Sequence, residues 1–307
     1  MSYEENAKSF YSKILLFGEY SVIQSSMALS LPYSLFEGSL TFRREQKLGP
    51  DPELRALGQY LKSMDKSGEL DFPFDVTSFE FDIGQGLYFN STIPQGFGVG
   101  SSGALCAALY DRYSSDSHQE ISLEELRRRF ALLESHFHGS SSGMDPLISY
   151  KKRPILMLGD GTLEQVCLPS LAQGGDGGIF LLNTGRARRT EPLVNLFLEK
   201  CNTKEFKAFC LKDLLPKTNE CITHFLEGQW SDLYESFHEL SRFQFEHFKG
   251  MIPKLYQEIW LEGIETKKFA LKLCGAGGGG FLLGMTPEFK STSGPFKNYE
   301  IRPFLRF

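Results

Sequence analysis

Residues Pro94 to Tyr110 read PQGFGVGSSGALCAALY, glycines and two adjacent serines at the mouth of a run rich in Ala and Leu. Glycine lets the backbone turn tightly and come close to a ligand, while Ala and Leu favour helix. A helix N-terminus offers unpaired N–H groups and a partial positive charge, so such a loop suits an anion. The architectural alternative is a simple cap on a buried helix. Two adjacent serines with clustered glycines exceed what a cap requires.

Gly98, Gly100 and Gly103 match the spacing GxGxxG. A dinucleotide fold would place a strand immediately after the helix, with an acidic residue at its end. Here a polar loop and a second helical segment, SLEELRRRFALLE, follow instead. A Walker loop is absent, because no Lys sits beside the glycines. A second glycine run, CGAGGGGF at 274–281, lies between two apolar strand-like segments. Consecutive glycines are costly as filler there, and make sense where backbone must lie close to a ligand.

The rest of the chain reads as α+β in two parts. KILLFGEYSVI, MALSLPYSL and GSLTFRR have strand character, and LRALGQYLKSM is an apolar-periodic helix within 49–70. FDVTSFEFDI and GLYFNSTI alternate, and read as two strands around a Gly84–Gly86 turn. The glycine loop and its helix run to about Tyr113. Ser122 with Glu125 forms a capping box for a helix carrying Leu126, Phe130, Leu133 and Phe137 on one face, with Gly139 as its stop. RPILML and GIFLLN read as strands. AQGGDGG between them marks a boundary, giving domains 1–175 and 176–307. The second part is mostly helical up to Glu265, then closes with FALKLCG, the glycine run, GFLLGM and YEIRPFLRF.

KILLFGEYSV, PQGFGVGSSGAL and KLCGAGGGGF, in that order and spanning Lys13 to Phe281, resemble the three motifs of the GHMP kinases. The resemblance implies a ribosomal-protein S5-like N-terminal domain and a ferredoxin-like C-terminal domain. It also implies phosphoryl transfer from ATP, with Mg2+, to a small-molecule hydroxyl. ATP would lie against Pro94, Gly96, Gly98, Gly100, Ser101, Ser102 and Gly103. Ser102 and Glu134 would supply oxygen ligands to magnesium, a cation that keeps several waters and needs few from the protein.

Asp145 is the implied general base, and Lys13 would stand close to it, keeping it ionised and countering charge on the moving phosphoryl group. Read from its neighbours alone, Asp145 before Pro146 is an N-cap for PLISY. Glu134 alone reads as a solvated helix residue. The resemblance further assigns Glu19, Tyr20, Ser142, Gly143, Arg188, Thr190, Gly275, Ala276, Gly277 and Gly278 to the acceptor side. His136 and His138 are read as a pair interacting favourably with a helix C-terminus, and Arg127 to Arg129 as a solvated face.

Within the family, ESHFHGSSSGMD is similar to the mevalonate kinase pattern of Glu, His-Gly and Ser-Gly-x-Asp. That points to the C5 hydroxyl of mevalonate and to isoprenoid precursor synthesis. Phosphomevalonate kinases and sugar 1-kinases stay open as alternatives, as does a nucleotide-binding regulator without catalysis. The chain departs from the pattern at Phe10-Tyr11-Ser12, Tyr20, Gly103, Ser141 and Cys274, where relatives carry Ala-Pro-Gly, His, Ala, Pro and Thr or Ser.

Composition narrows the partners. A formal charge of −5 argues against generic binding to nucleic acid or anionic membrane. No apolar run approaches a membrane span, and the polar start MSYEENAKSFYSK lacks the core of a signal peptide. Cys106, Cys167, Cys201, Cys210, Cys221 and Cys274 form no CxxC pair, so free thiols in a reducing cytoplasm are expected. A homodimer is left open.

Overall fold

A computed structural model describes residues 8–43, 49–170, 175–187 and 191–307. The described chain forms two compact units. The first takes the residues up to Lys13 with Leu31–Pro94 and Val99–Arg153; the second takes Ile14–Ser30, Gln95–Gly98 and Pro154–Phe307. The position 175/176 falls inside the second unit, and residues 171–174 lie outside the described residues.

One sheet is built from β1 (Phe10–Phe17), β2 (Ala28–Phe42), β3 (Leu87–Ser91), β4 (Ile155–Met157) and β5 (Leu163–Gln165). Its order is β1-β2-β4-β5, with β3 also paired to β2. The two segments MALSLPYSL and GSLTFRR merge into the single strand β2. Its far half pairs antiparallel with β3, from Gly38 opposite Ser91 to Phe42 opposite Leu87. Its near end pairs with β4, from Ala28 opposite Met157 to Ser30 opposite Ile155. β1 stops at Phe17, and the SVI expected to continue it forms a short 3-10 turn, Ser21–Gln24.

Helices α1 (Pro52–Ser67), α2 (Val76–Gly84), α3 (Ser101–Tyr113), α4 (Leu123–His138) and α5 (Met144–Lys151) all lie in the first unit. The expected strand in FDVTSFEFDI is α2 instead. Asp75 caps it by accepting hydrogen bonds from Ser78 N and Ser78 Oγ. Val76, Phe79 and Ile83 are buried at helical spacing, whereas Phe81, which alternation would have buried, is 65% exposed. In α3 every residue from Gly103 to Tyr110 is buried, as expected for a helix apolar all round. Ser122 accepts from Glu125 N at 3.2 Å at the start of α4, and Gly139 ends it. Arg129 is not a solvated residue: it pairs with Asp116 and Glu125 at 2.7 Å each, with its side chain only 12% exposed.

The second unit carries a four-stranded antiparallel sheet of order β7-β8-β6-β9, made of β6 (Gly178–Asn183), β7 (Ala270–Leu273), β8 (Phe281–Thr286) and β9 (Ile301–Arg306). Its helices are α6 (Glu191–Cys201), α7 (Lys204–Phe209), α8 (Leu215–Glu227), α9 (Trp230–His247) and α10 (Gln257–Thr266). The abundant phenylalanines find their use in its core. Phe17 meets Phe225 and Phe237 edge-on, Phe197 meets Phe206 and Phe248, and Phe180 meets Phe289 and Phe296. Among the described residues no helix is long and apolar enough to cross a membrane.

Candidate active site

The glycine-serine loop enters α3 without a side-chain cap. Gly100 occupies the N-cap position in the left-handed region, with φ 78 and ψ 42. A Cβ there would meet Lys13 Cγ at 2.9 Å and Asp145 Oδ2 at 3.5 Å, so glycine is what lets these two side chains sit against the loop. The strand β1 delivers Lys13, whose backbone N–H donates to Val99 O at 2.9 Å. Its ammonium lies 2.8 Å from Asp145 Oδ1, the two side chains being 11% and 32% exposed. Asp145 stands in the first turn of α5. The N-cap position there belongs to Gly143, with φ 72, so the N-cap reading of Asp145 is corrected.

Glu134, from the last turns of α4, is buried at 4% exposure rather than solvated. Its Oε1 accepts from Ser102 Oγ at 2.9 Å, and its Oε2 accepts from Ser141 Oγ. Burial, followed by the nearby Asp145 charge, pushes the Glu134 carboxyl up to about 7, against the pull of Ser141, Ser102 and Lys13. Ser102 Oγ also lies 3.1 Å from His138 Nε2. Gly143 is buried against α4, where a Cβ would stand 2.0 Å from Arg127 O, and its N–H donates to Ser141 Oγ at 3.0 Å. Ser142 is exposed and accepts from Met144 N at 3.4 Å.

Hard oxygen donors and a crowded, partly desolvated pair of carboxyls suit a small divalent cation. Ser102 Oγ and Glu134 Oε1 are 2.9 Å apart. Both are hard oxygens of the kind magnesium takes from a protein, so these two residues would hold such a cation.

The second unit holds the other expected residues. Glu19 is buried and paired with the fully buried Lys272, which also donates to Leu273 O at 2.8 Å. Burial raises the Glu19 carboxyl, while Lys272 and the Gly275 N–H work to lower it. Tyr20 adopts φ 63 and donates its hydroxyl proton to Ala276 O, with its ring 4.8 Å from Phe197 and 5.3 Å from Phe248. Gly96 and Gly98 both have positive φ, and Pro94 is half-buried in the first unit.

In the second glycine run, read above as costly filler unless backbone lies close to a ligand, packing itself calls for glycine at two positions. A Cβ at Gly277 would meet Met251 O at 2.6 Å, and one at Gly280 would meet Phe97 O at 2.4 Å. Gly278 N donates to Met251 O and Gly280 N to Arg186 O, both at 2.6 Å. Arg188 and Thr190 lie outside the described residues.

Sequence reasoning missed two contacts. His138 sits in the last turn of α4, as expected, but its ring reaches Ser102. Ser141 was read only as a departure from the motif, although a hydroxyl there was a visible signal of a hydrogen bond to a carboxylate.

The fold is α+β and is similar to that of solved GHMP kinases. Residues 57–153 match the family described as the GHMP kinases N terminal domain. The chain is 24% identical to a mevalonate kinase of Thermococcus gammatolerans, over 91% of this chain and 89% of that one. Among solved structures it resembles Streptococcus pneumoniae phosphomevalonate kinase in complex with phosphomevalonate and AMPPNP, with TM-score 0.65, 14% identity, and 97% and 99% of the two chains covered. It also resembles Lactococcus lactis galactokinase complexed with galactose, with TM-score 0.67, 14% identity, and 98% and 94% coverage.

Proposed function

We propose that this chain transfers the γ-phosphoryl group of ATP to the C5 hydroxyl of mevalonate, as a step in making isoprenoid precursors. The observation that carries the reading is the Lys13–Asp145 ion pair, 2.8 Å long, set against Gly100 at the start of α3. Backbone N–H groups at that helix start, from Gly100 to Gly103, are suited to bind the phosphate oxygens. The acceptor oxygen attacks the γ-phosphorus, the bond from that phosphorus to the β,γ-bridging oxygen breaks, and ADP leaves with the bond's electrons. Asp145 takes the hydroxyl proton. A loose transition state asks little of the base before bond formation, so a carboxylate suffices. Lys13 holds Asp145 in place through their ion pair and offsets charge on the phosphoryl oxygens. Ser102 and Glu134 would hold Mg2+, which when bound supplies charge neutralisation on the phosphates.

Phosphomevalonate is the second acceptor considered. Tyr20 favours it, since the GEY form of the first motif occurs in some phosphomevalonate kinases, and the hydroxyl of Tyr20 is committed to Ala276 O.

The deciding experiment measures ADP release from Mg-ATP with mevalonate, phosphomevalonate and galactose in parallel, for wild type and Asp145→Ala. Turnover on mevalonate alone, lost in the variant, is expected. Turnover on another acceptor instead would overturn the mevalonate assignment, and no turnover on any of the three would remove the catalytic reading.

A further inference from the structure

The contact between His138 and Ser102 has a chemical consequence for the pair Ser102–Glu134, and it rests on the magnesium reading above. Ser102 has one hydroxyl proton, and that proton is given to Glu134 Oε1 at 2.9 Å. A divalent cation held by both oxygens draws on a lone pair from each. The proton can then no longer lie between them, because the cation occupies the side on which they face each other. It must find another acceptor, since a hydroxyl donor left without a partner costs free energy. Glu134 is 4% exposed, and its Oε2 is already engaged by Ser141. The nitrogen within reach of Ser102 Oγ is His138 Nε2, at 3.1 Å.

We propose that His138 is a positioning residue for the cation. In its Nδ1–H form it accepts the Ser102 hydroxyl proton through Nε2, which turns the Ser102 lone pairs and the Glu134 oxygen together toward the metal. His138 ends α4 one turn after Glu134, so one helix supplies both the carboxylate and the acceptor that releases it from Ser102. The ring itself is exposed and covers no core, so its replacement should spare the fold.

The probe is Mn2+, followed by electron paramagnetic resonance on the purified full chain with ADP present. His138→Phe removes the acceptor and keeps a ring; His138→Gln keeps an acceptor. The dissociation constant for Mn2+ is expected to rise about five- to tenfold in His138→Phe, the equivalent of one net hydrogen bond, and to stay within about twofold of wild type in His138→Gln. Melting temperatures without metal should be the same in all three. Wild-type affinity in His138→Phe would overturn the proposal and show that water takes the proton. Equal weakening in both variants would overturn it too. Failure of wild-type protein to bind Mn2+ with ADP would overturn the magnesium reading, and this proposal with it.

Discussion

Gly103 lies so close to Asp145 that a Cβ on the glycine would stand 2.7 Å from the aspartate's carbonyl carbon. The neighbours on that side are Asp145 C, Asp145 Cβ and Pro146 N, all fixed by the backbone, and they cannot swing away as a side-chain tip would. Gly103→Ala is expected to destabilise the chain by about 1–3 kcal/mol and to lower kcat by displacing Asp145. Urea denaturation and steady-state kinetics read the two effects. Wild-type values in both would mean that the helices separate without cost.

Removing either member of the Lys13–Asp145 pair should damage turnover far more than binding. Asp145→Asn and Lys13→Met are each expected to reduce kcat by about a hundred- to ten-thousandfold. Nucleotide affinity in Asp145→Asn, measured by calorimetry with ADP, should change little. A kcat within tenfold of wild type would remove Asp145 from the chemistry.

Lys272 is fully buried and pairs with the buried Glu19. Lys272→Met leaves that carboxylate alone in the interior, a change worth about 3–5 kcal/mol of stability. The double variant Lys272→Met with Glu19→Met should recover much of the loss, because both charges are then gone. A double variant as unstable as the single one would show that the lysine acts through its Leu273 O contact instead.

Glu125 on α4 predicts an acid-sensitive element. Hydrogen bonds from Arg128, then Arg129, hold its carboxyl near 2, against an ordinary value of 4.5. Between those pH values the unfolded chain binds more protons, so stability from these contacts is present above about 4.5 and fades as the pH falls toward about 2. Denaturation midpoints of wild type should drop more steeply across that window than those of Glu125→Gln. Parallel curves would contradict this.

Much of the site was readable because its parts are local. A glycine loop running into a buried helix, a capping box at Ser122 and an acidic residue after SSG are all short-range patterns. What escaped was long-range. Glu134 reads as an ordinary helical glutamate until Ser102 and Ser141 converge on it, and no periodicity reveals that. The helix α2 was misread because Phe79 and Phe81 alternate as a strand would, while the capping carboxylate of Asp75 and the burial of Phe79 alone favour helix. The long strand β2 was cut before Gly38, a turn-forming residue that its neighbours override.

Gly277 and Gly280 are wedged against Met251 and Phe97 by contacts that owe nothing to any bound molecule. Natural selection for folding alone would keep them unchanged. In a lineage that moved from one acceptor to another, this loop would persist as a fossil of the architecture, while the record of the change was written in neighbouring side chains. Library designs aimed at new acceptors should therefore leave the loop intact and vary what surrounds it.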